Sequence, residues 1–278
     1  MIVKVLLLIL FFAVMVGIGF YSRKHATNVD GFVLGGRSVG PWLTAFAYGT
    51  SYFSAVVFVG YAGQFGYKYG ISATWIGIGN ALIGSLLAWI VLGRRTRIMS
   101  KHLKAKTMPD YFGKRFDSNA LRVTAAVISF VFLIPYTASV YNGLSRLFEM
   151  AFDVPYTVCV VVMAALTCVY VILGGYMATA INDFVQGIVM LVGIVAVIAS
   201  VLNGQGGFMQ AVFKLSEIPS DIPVTMGQQG AFTSFFGPDP LNLLGVVILT
   251  SLGTWGLPQM VSKFYAIRDE KAVKTGTV

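Results

Sequence analysis

Asp183 is the side chain with the clearest capacity for chemistry, because it is a lone carboxylate in a long apolar stretch. The segments on either side of it, 154–182 and 184–213, contain no charged residue. A charge at membrane depth is costly unless it is paired or hydrated. The position therefore indicates a relay for a cation or a proton, with Gln186, one turn later, sharing its hydrogen bonds. The alternative is a carboxylate at a helix N-terminus near the inner membrane surface, stabilised by the helix dipole.

Two apolar segments are interrupted by small, polar and helix-breaking residues. The first interruption is GTSYFS at 49–54, and the second is GTWGLP at 253–258. Glycine and proline free backbone carbonyls and amides, which a membrane tolerates only where protein or a hydrated cavity takes them up. Freed carbonyls suit a small hard cation, and helix N-termini suit an anionic group. The alternative is that small residues here simply let helices pack closely.

Two aromatic residues could face a ligand. Tyr136 follows Pro135 in an apolar segment and could present its hydroxyl to a cavity, although a packed aromatic fits the same spacing. Trp255 lies between Gly253 and Gly256, which leave it backbone room to face a ligand. Tryptophan is also common at membrane interfaces, so its position has a second interpretation.

The composition predicts the elements that must position these residues. The chain has 278 residues, of which 56% are hydrophobic and 11% charged, whereas soluble domains average about 25% charged. These figures exclude a soluble enzyme, a disordered chain and a nucleic-acid-binding domain. Uncharged runs of this length predict transmembrane helices. The seven predicted spans are 5–22, 38–67, 69–93, 123–145, 154–182, 184–213 and 240–262.

Lysine and arginine predict the orientation of these spans. With the N-terminus outside, sixteen of the 20 Lys and Arg residues fall on the cytoplasmic side. The net charge of +9 is then a topology signal and requires no polyanionic partner. The second and seventh spans, which carry the two interruptions, run in opposite directions. Interrupted helices in oppositely oriented halves are typical of an inverted-repeat transporter.

Two connecting segments have recognisable character. The stretch 99–119 mixes aromatic and basic residues and predicts a short interfacial helix on the cytoplasmic face, with a solvated loop as the alternative. The stretch 203–238 is rich in Gly, Pro, Ser and Gln and predicts an irregular outer linker with a short helix.

Four motifs resemble the sodium:solute symporter family. They are FVLGGRSVGPW at 32–42, MPDYF at 108–112, GGYMA at 174–178 with the acid Asp183 after it, and WGLPQ at 255–259. The resemblance runs through nearly the whole chain, in order. It implies an all-α polytopic membrane protein with part of a five-plus-five inverted-repeat fold of the leucine-transporter type. The chain would be the N-terminal part of a transporter about twice as long.

The same resemblance divides the chain into parts of one transmembrane domain. Residues 1–24 would be a peripheral first helix, and 40–203 the first five-helix repeat. Residues 204–238 would be the outer loop. Residues 239–278 would hold the first helix of the second repeat and a cytoplasmic end, and we expect that residues 1–278 alone do not transport.

The resemblance also implies a cation site and a substrate site. The main-chain carbonyls of Thr50 and Phe53 would bind sodium, and Asp183 would lie on the sodium route. No cofactor is implied apart from sodium as the coupling ion. Proline-carrying bacterial members have an acidic residue where this chain has Tyr52, and a phenol supplies no full negative charge near neutral pH. The residues expected around the substrate are Tyr52, Ser54, Tyr136, Trp255 and Pro258.

The function implied is secondary active, sodium-coupled symport of a small organic solute, an amino acid or a related compound, by alternating access. The partners would be the solute, sodium and the lipid bilayer of a bacterial plasma membrane, with no nucleic acid and no enzymatic step. A symporter-like sensory module of a signalling protein is the alternative. A retinal protein is disfavoured, because the last predicted span contains no lysine and Lys263 lies at its edge.

Overall fold

The described part of this computed structural model, residues 2–53 and 61–278, is built from helices and short connections. Ser54 lies outside the described residues. The N-terminal helices are α1 (Ile2–Ser22), α2 (Val29–Leu34), α3 (Pro41–Tyr52), α4 (Ala62–Tyr69), α5 (Thr74–Gly79) and α6 (Arg94–His102). The later ones are α7 (Met108–Arg115), α8 (Asn119–Phe152), α9 (Tyr156–Gln205), α10 (Phe208–Glu217), α11 (Pro240–Leu252), α12 (Pro258–Ala266) and α13 (Glu270–Thr277).

The described residues contain four helical stretches that are long and apolar enough to cross a membrane: Val5–His25, Ala62–His102, Asn119–Phe152 and Tyr156–Gln205. A fifth span results if α11 and α12, which are bent by 50° relative to each other, are taken together. The seven predicted spans are therefore not reproduced as seven continuous helices. Within the second predicted span, 38–67, the structure describes α3, which ends at Tyr52, and the first part of α4. The fifth and sixth predicted spans are joined in α9.

Helix α9 is 50 residues long and is broken at Gly175, whose backbone has φ 56° and ψ −146°. A straight helix of that length would measure about 75 Å, whereas the hydrocarbon core of a bilayer is about 30 Å thick. Thr167 before the break and Met190 after it line one cavity. The chain therefore turns at Gly175. The prediction of two spans is consistent with this turn, but the predicted boundary at Asp183 is wrong, because the break lies within the predicted fifth span, 154–182.

Small residues let α1 pack closely on α9. A Cβ atom on Gly174 would lie 2.9 Å from the carbonyl oxygen of Gly19, and one on Gly19 would lie 3.0 Å from the Cα atom of Tyr170. Lipid is as apolar as the surfaces of these helices, so the hydrophobic effect does not drive them together. Close backbone contact of this kind holds them together instead.

The predicted break in the seventh span is confirmed. Helix α11 ends at Leu252, a 3₁₀ turn covers Gly253–Gly256, and α12 begins at Pro258. Proline suits the first position of a helix because its missing N–H would have no partner there. The Gly and Pro residues that interrupt the apolar pattern thus mark the bend itself.

The two connecting segments also contain the predicted helices. Thr107 caps α7 by accepting a hydrogen bond from the Asp110 amide at 3.3 Å, and Pro109 lies in the first turn. The stretch 203–238 contains α10 and two 3₁₀ turns, Pro223–Thr225 and Ala231–Thr233. Whether α7 lies in the membrane interface stays a prediction.

The start of α3 is bound to the segment that follows α12. The Val39 amide donates to the Ala266 carbonyl at 3.3 Å, and the Arg268 amide donates to the Val39 carbonyl at 2.9 Å. Arg37 adds a hydrogen bond from its guanidinium to the Tyr265 carbonyl at 3.4 Å. These hydrogen bonds therefore join residues 37–39, before α3, to residues 265–268, at the end of α12.

Asp110 anchors the start of α7 through its ionised carboxylate. Its Oδ2 accepts from the Lys106 amide at 3.0 Å and from the Lys114 ammonium at 2.9 Å. Burial is the largest single effect and opposes ionisation. The two hydrogen bonds and the nearby positive charges together outweigh it, so the pKa of Asp110 lies below its ordinary value. Such a group adds stability above its unfolded pKa of about 3.9, and this is lost as the pH falls through the folded pKa.

We expect Asp110→Asn to lower the free energy of unfolding at pH 7 by about 1 kcal/mol, because it removes the charge of a half-exposed ion pair. Melting temperatures measured at pH 7 and near pH 3, below the unfolded pKa of about 3.9, should show the difference from wild type shrinking at the lower pH. The matched control is Asp117→Asn, since Asp117 is exposed and its φ of 47° is one that asparagine tolerates. A constant difference at both pH values would contradict the ionised role of Asp110.

Candidate functional site

A large cavity of about 900 Å³ lies between α1, α3, α8 and α9. Most of its lining is apolar, with a few polar groups facing a common space. Cavities of this size and character are the usual sites of small-molecule binding. The polar lining residues are Thr50, Tyr136, Thr137, Tyr141, Thr167, Tyr170, Asp183 and Gln186.

Thr50 and Phe53 lie at the C-terminal end of α3 and line this cavity. Both also line a smaller neighbouring cavity of about 280 Å³. The Thr50 hydroxyl donates to the Phe46 carbonyl at 2.8 Å, so it is engaged within its own helix. In an unbroken helix the Thr50 carbonyl would accept from residue 54, which lies outside the described residues. The main-chain carbonyls of Thr50 and Phe53 as sodium ligands stay a prediction.

Asp183 forms an ion pair with Lys263, whose Nζ lies 3.2 Å from Asp183 Oδ2. The side chains are 22% and 8% exposed, respectively. Asp183 lies about two turns after the break at Gly175, in the interior of a helix. The alternative interpretation of Asp183 as a helix N-terminal carboxylate is therefore wrong. The expected sharing of hydrogen bonds with Gln186 is also not seen, because the Gln186 amide contacts the Met15 sulfur at 3.3 Å.

The surroundings of this ion pair contain polar groups without partners. The Lys263 ammonium lies 5.4 Å from the centre of the Tyr176 ring. In the described part of the chain, the buried Tyr176 hydroxyl and the buried side-chain amides of Asn182 and Gln259 have no hydrogen-bond partner. A buried polar group without a partner costs free energy, so these groups are available to bind water, an ion or a side chain that moves.

A second polar cluster, centred on Asn80, joins the end of α3 to α11. Asn80 is 5% exposed and lies in a π-helical stretch, Asn80–Leu87. Its Oδ1 accepts from the hydroxyls of Thr250 at 3.0 Å and Ser251 at 3.1 Å, and the Tyr52 hydroxyl lies 3.2 Å away. The Tyr52 hydroxyl also donates to the Thr250 carbonyl at 2.9 Å. We call Tyr52, Asn80, Thr250 and Ser251 the Asn80 cluster.

The π-helical stretch also binds the bent seventh span. Trp255 donates from its indole N–H to the Ile83 carbonyl at 3.1 Å, and Tyr48 donates to the Gly84 carbonyl at 3.1 Å. A π-helix displaces carbonyls from the regular ladder, which makes them available to side chains of neighbouring helices. The indole N–H of Trp255 is thus already used in a hydrogen bond to a neighbouring element.

We expect Asn80→Leu to lower the free energy of unfolding by about 1–3 kcal/mol, the cost of one buried donor left without an acceptor. Tyr52 and Thr250 would each keep a carbonyl partner, at 2.9 Å in both cases, so Ser251 carries the loss. Melting of the purified protein in detergent measures the effect. The control is Asn80→Leu combined with Ser251→Ala, which should recover much of the loss. A double variant no more stable than the single one would contradict this account.

The structure brings together only some of the predicted site residues. The large cavity is lined by Thr50, Phe53, Tyr136 and Asp183 but not by Tyr52, Trp255 or Pro258. Tyr52 belongs to the Asn80 cluster, and Pro258 is the first residue of α12. The roles assigned to all of these residues stay predictions.

Two residues that the sequence analysis did not single out are Lys263 and Asn80. The position of Lys263 at the edge of the last predicted span indicates a cytoplasmic topology charge, whereas its side chain is buried beside Asp183. The signal that could have found it is the isolation of Asp183, since a buried carboxylate calls for a cationic partner. For Asn80, the signal is a single amide side chain in the uncharged run 69–93.

The profile of the Sodium:solute symporter family matches residues 32–278. Proteins named Sodium/proline symporter from Staphylococcus aureus strains JH9, JH1 and Mu3 / ATCC 700698 are each 33% identical to the chain over 276 residues. These alignments cover 96% of this chain and 50% of each relative. The chain therefore spans about half the length of the curated relatives that it matches. Symporters are transporters and not enzymes.

Proposed function

The chain belongs to the sodium:solute symporter family, and on this premise we propose that it serves sodium-driven symport of a small organic solute across a bacterial plasma membrane. The observation that carries the proposal is the shared cavity, which is lined by Thr50 and Phe53 at the end of α3 and by Asp183 on α9. An acid inside a membrane protein is expected on an ion pathway. Carbonyls at an interrupted helix are suitable ligands for Na⁺.

The proposed cycle uses the interruptions as binding places. Sodium binds at the end of α3 through the main-chain carbonyls of Thr50 and Phe53, which stabilises a cavity open to the outside. The solute binds between the second and seventh predicted spans, near Tyr52 and Trp255. The cavity then closes on the outside and opens on the inside, and sodium leaves past Asp183. The chain supplies binding and orientation, and no covalent bond is made or broken.

The class of solute that we propose is an amino acid or a related compound. The relatives named sodium/proline symporters support this class. Tyr52 argues against a substrate whose amine needs a full negative charge at this position, because its hydroxyl is neutral and already bonded within the Asn80 cluster. The remaining residues proposed around the solute are Ser54, Tyr136 and Pro258.

Uptake into proteoliposomes containing the full-length protein tests the proposal. An inward sodium gradient should drive accumulation of a radiolabelled amino acid from a panel that begins with proline, several-fold above empty liposomes. Choline and potassium, substituted for sodium at the same concentration, should abolish accumulation. Equal uptake with all three cations would overturn the sodium-driven mechanism.

A further inference from the structure

Lys263 is a buried cation beside the acid that lines the large cavity. Among the residues that the structure describes, Lys263 is the only hydrogen-bond donor to Asp183, at 3.2 Å. Asp183 lines the cavity and Lys263 does not. The carboxylate therefore has the cavity on one side and the ammonium of α12 on the other.

A single carboxylate cannot serve two monovalent cations equally in apolar surroundings. One negative charge balances one positive charge, and a second buried cation would stay uncompensated at high cost. A cation that reaches Asp183 through the cavity therefore meets a position already filled by the lysine. A lysine can give up such a position to another cation, because its ammonium is a compact point charge on a flexible stem.

The displaced ammonium has acceptors available nearby. The Tyr176 ring lies 5.4 Å from Lys263 Nζ, and the Tyr176 hydroxyl is buried without a partner among the described residues. Gln259 lies one turn before Lys263 on α12, and its buried amide oxygen is likewise unpaired within the described ranges. These groups are unsatisfied while Lys263 pairs with Asp183, and they could accept its ammonium after release.

The pair also joins two elements that a transport cycle would have to separate. Lys263 lies in the last turn of α12, which follows the 50° bend, and Asp183 lies in the second half of α9. In the same region, α12 is packed on α3 through Met260 and Phe264, which contact Tyr48 and Tyr52 in one buried cluster. Loss of the ion pair would therefore remove the charged link between α9 and this packed unit.

We propose that Lys263 is an intramolecular competitor of the transported cation for Asp183. A cation arriving from the cavity takes the carboxylate, the ammonium moves to Tyr176 and Gln259, and α12 is released from its ion pair with α9. The identity of the cation as sodium rests on the proposed function, whereas the competition is a property of these side chains. Lys263 acts as a positioning residue that links cation occupancy to the hold on α12.

The test is sodium-dependent melting of the full-length protein in detergent, compared in NaCl and in choline chloride. Lys263→Met removes the competitor and keeps an unbranched apolar chain, so sodium should raise its melting temperature several degrees more than that of wild type. Lys263→Arg should give a smaller sodium effect than wild type, because a guanidinium binds a carboxylate with two parallel hydrogen bonds. Lys274→Met, at an exposed position of α13, should behave as wild type.

Uptake provides the second readout. The sodium concentration for half-maximal uptake should fall about tenfold in Lys263→Met and rise several-fold in Lys263→Arg, with little change in Lys274→Met. Equal sodium effects in wild type and both Lys263 variants would overturn the competition. If Lys263→Met cannot be purified, Lys263→Arg decides alone, and an unchanged sodium dependence overturns the proposal. Failure of the proposed function would instead appear as wild-type uptake that does not depend on sodium.

Discussion

Asp183→Asn is expected to lower the free energy of unfolding by about 3–5 kcal/mol and to abolish sodium-driven uptake. The physical reason is the lysine left behind, because removing one partner of a buried ion pair leaves an uncompensated charge in apolar surroundings. Lys263 is only 8% exposed at its side chain, so water cannot easily take over the role of the carboxylate. Loss of the cavity carboxylate separately removes the proposed acid on the sodium route.

The two effects can be separated by a double variant. Asp183→Asn combined with Lys263→Met removes both charges, and replacing a buried pair by uncharged groups is often neutral for stability. We expect the double variant to melt near wild type while still failing to accumulate solute. Asp221→Asn, at an exposed acid of the outer linker, is the control and should change neither property. A single variant Asp183→Asn as stable as wild type would contradict the buried pairing.

Gly175→Ala is expected to destabilise the protein by at least about 3 kcal/mol. The backbone at this position, φ 56° and ψ −146°, belongs to a region that only glycine occupies readily. A methyl group would also lie 2.7 Å from the carbonyl oxygen of Phe32. This oxygen belongs to the backbone, so it cannot rotate away as a side chain can. The turn between the two halves of α9 would therefore be lost or distorted.

A glycine in the same helix provides the matched control. A Cβ atom on Gly193 would meet no heavy atom within 4 Å. Gly193→Ala should leave stability unchanged or raise it by about 0.5–1 kcal/mol, because alanine favours a helix interior. Melting of both variants in the same detergent measures the difference. Equal behaviour of the two would mean that the conformation of Gly175 is not required.

Local features of the sequence predicted the helical breaks and caps. The bend before Pro258 follows from residues that disfavour helix continuation, and α7 follows from Thr107, Pro109 and Asp110 at helix-starting positions. The turn in α9 was only implied, because Gly174 and Gly175 lie in an uninterrupted apolar run where small residues are equally suited to close packing. The number of continuous helices therefore differs from the number of apolar runs.

The partners within the candidate site could not be predicted from the sequence. Asp183 and Lys263 are 80 positions apart, and their pairing depends on how α12 packs after the bend. Asn80 and Ser251 are 171 positions apart, and they meet because a π-helical stretch lies against α11. Tyr136 and Asp183 were each identified separately, yet that both line one cavity depends on the turn at Gly175. Contacts of this kind are set by tertiary packing and leave no local periodicity.

The link between the start of α3 and the segment after α12 has a consequence for biosynthesis. Arg37 and Tyr265, which it joins, are 228 positions apart. At ordinary rates of synthesis, the ribosome needs roughly 10–45 s to make that length of chain. During this interval the Val39 backbone has no partner in the later segment, whereas the Arg37 guanidinium already has the Ser100 and Ala105 carbonyls as acceptors. The ribosome, and not the speed of helix formation, therefore sets the earliest moment at which this end of the molecule can assemble.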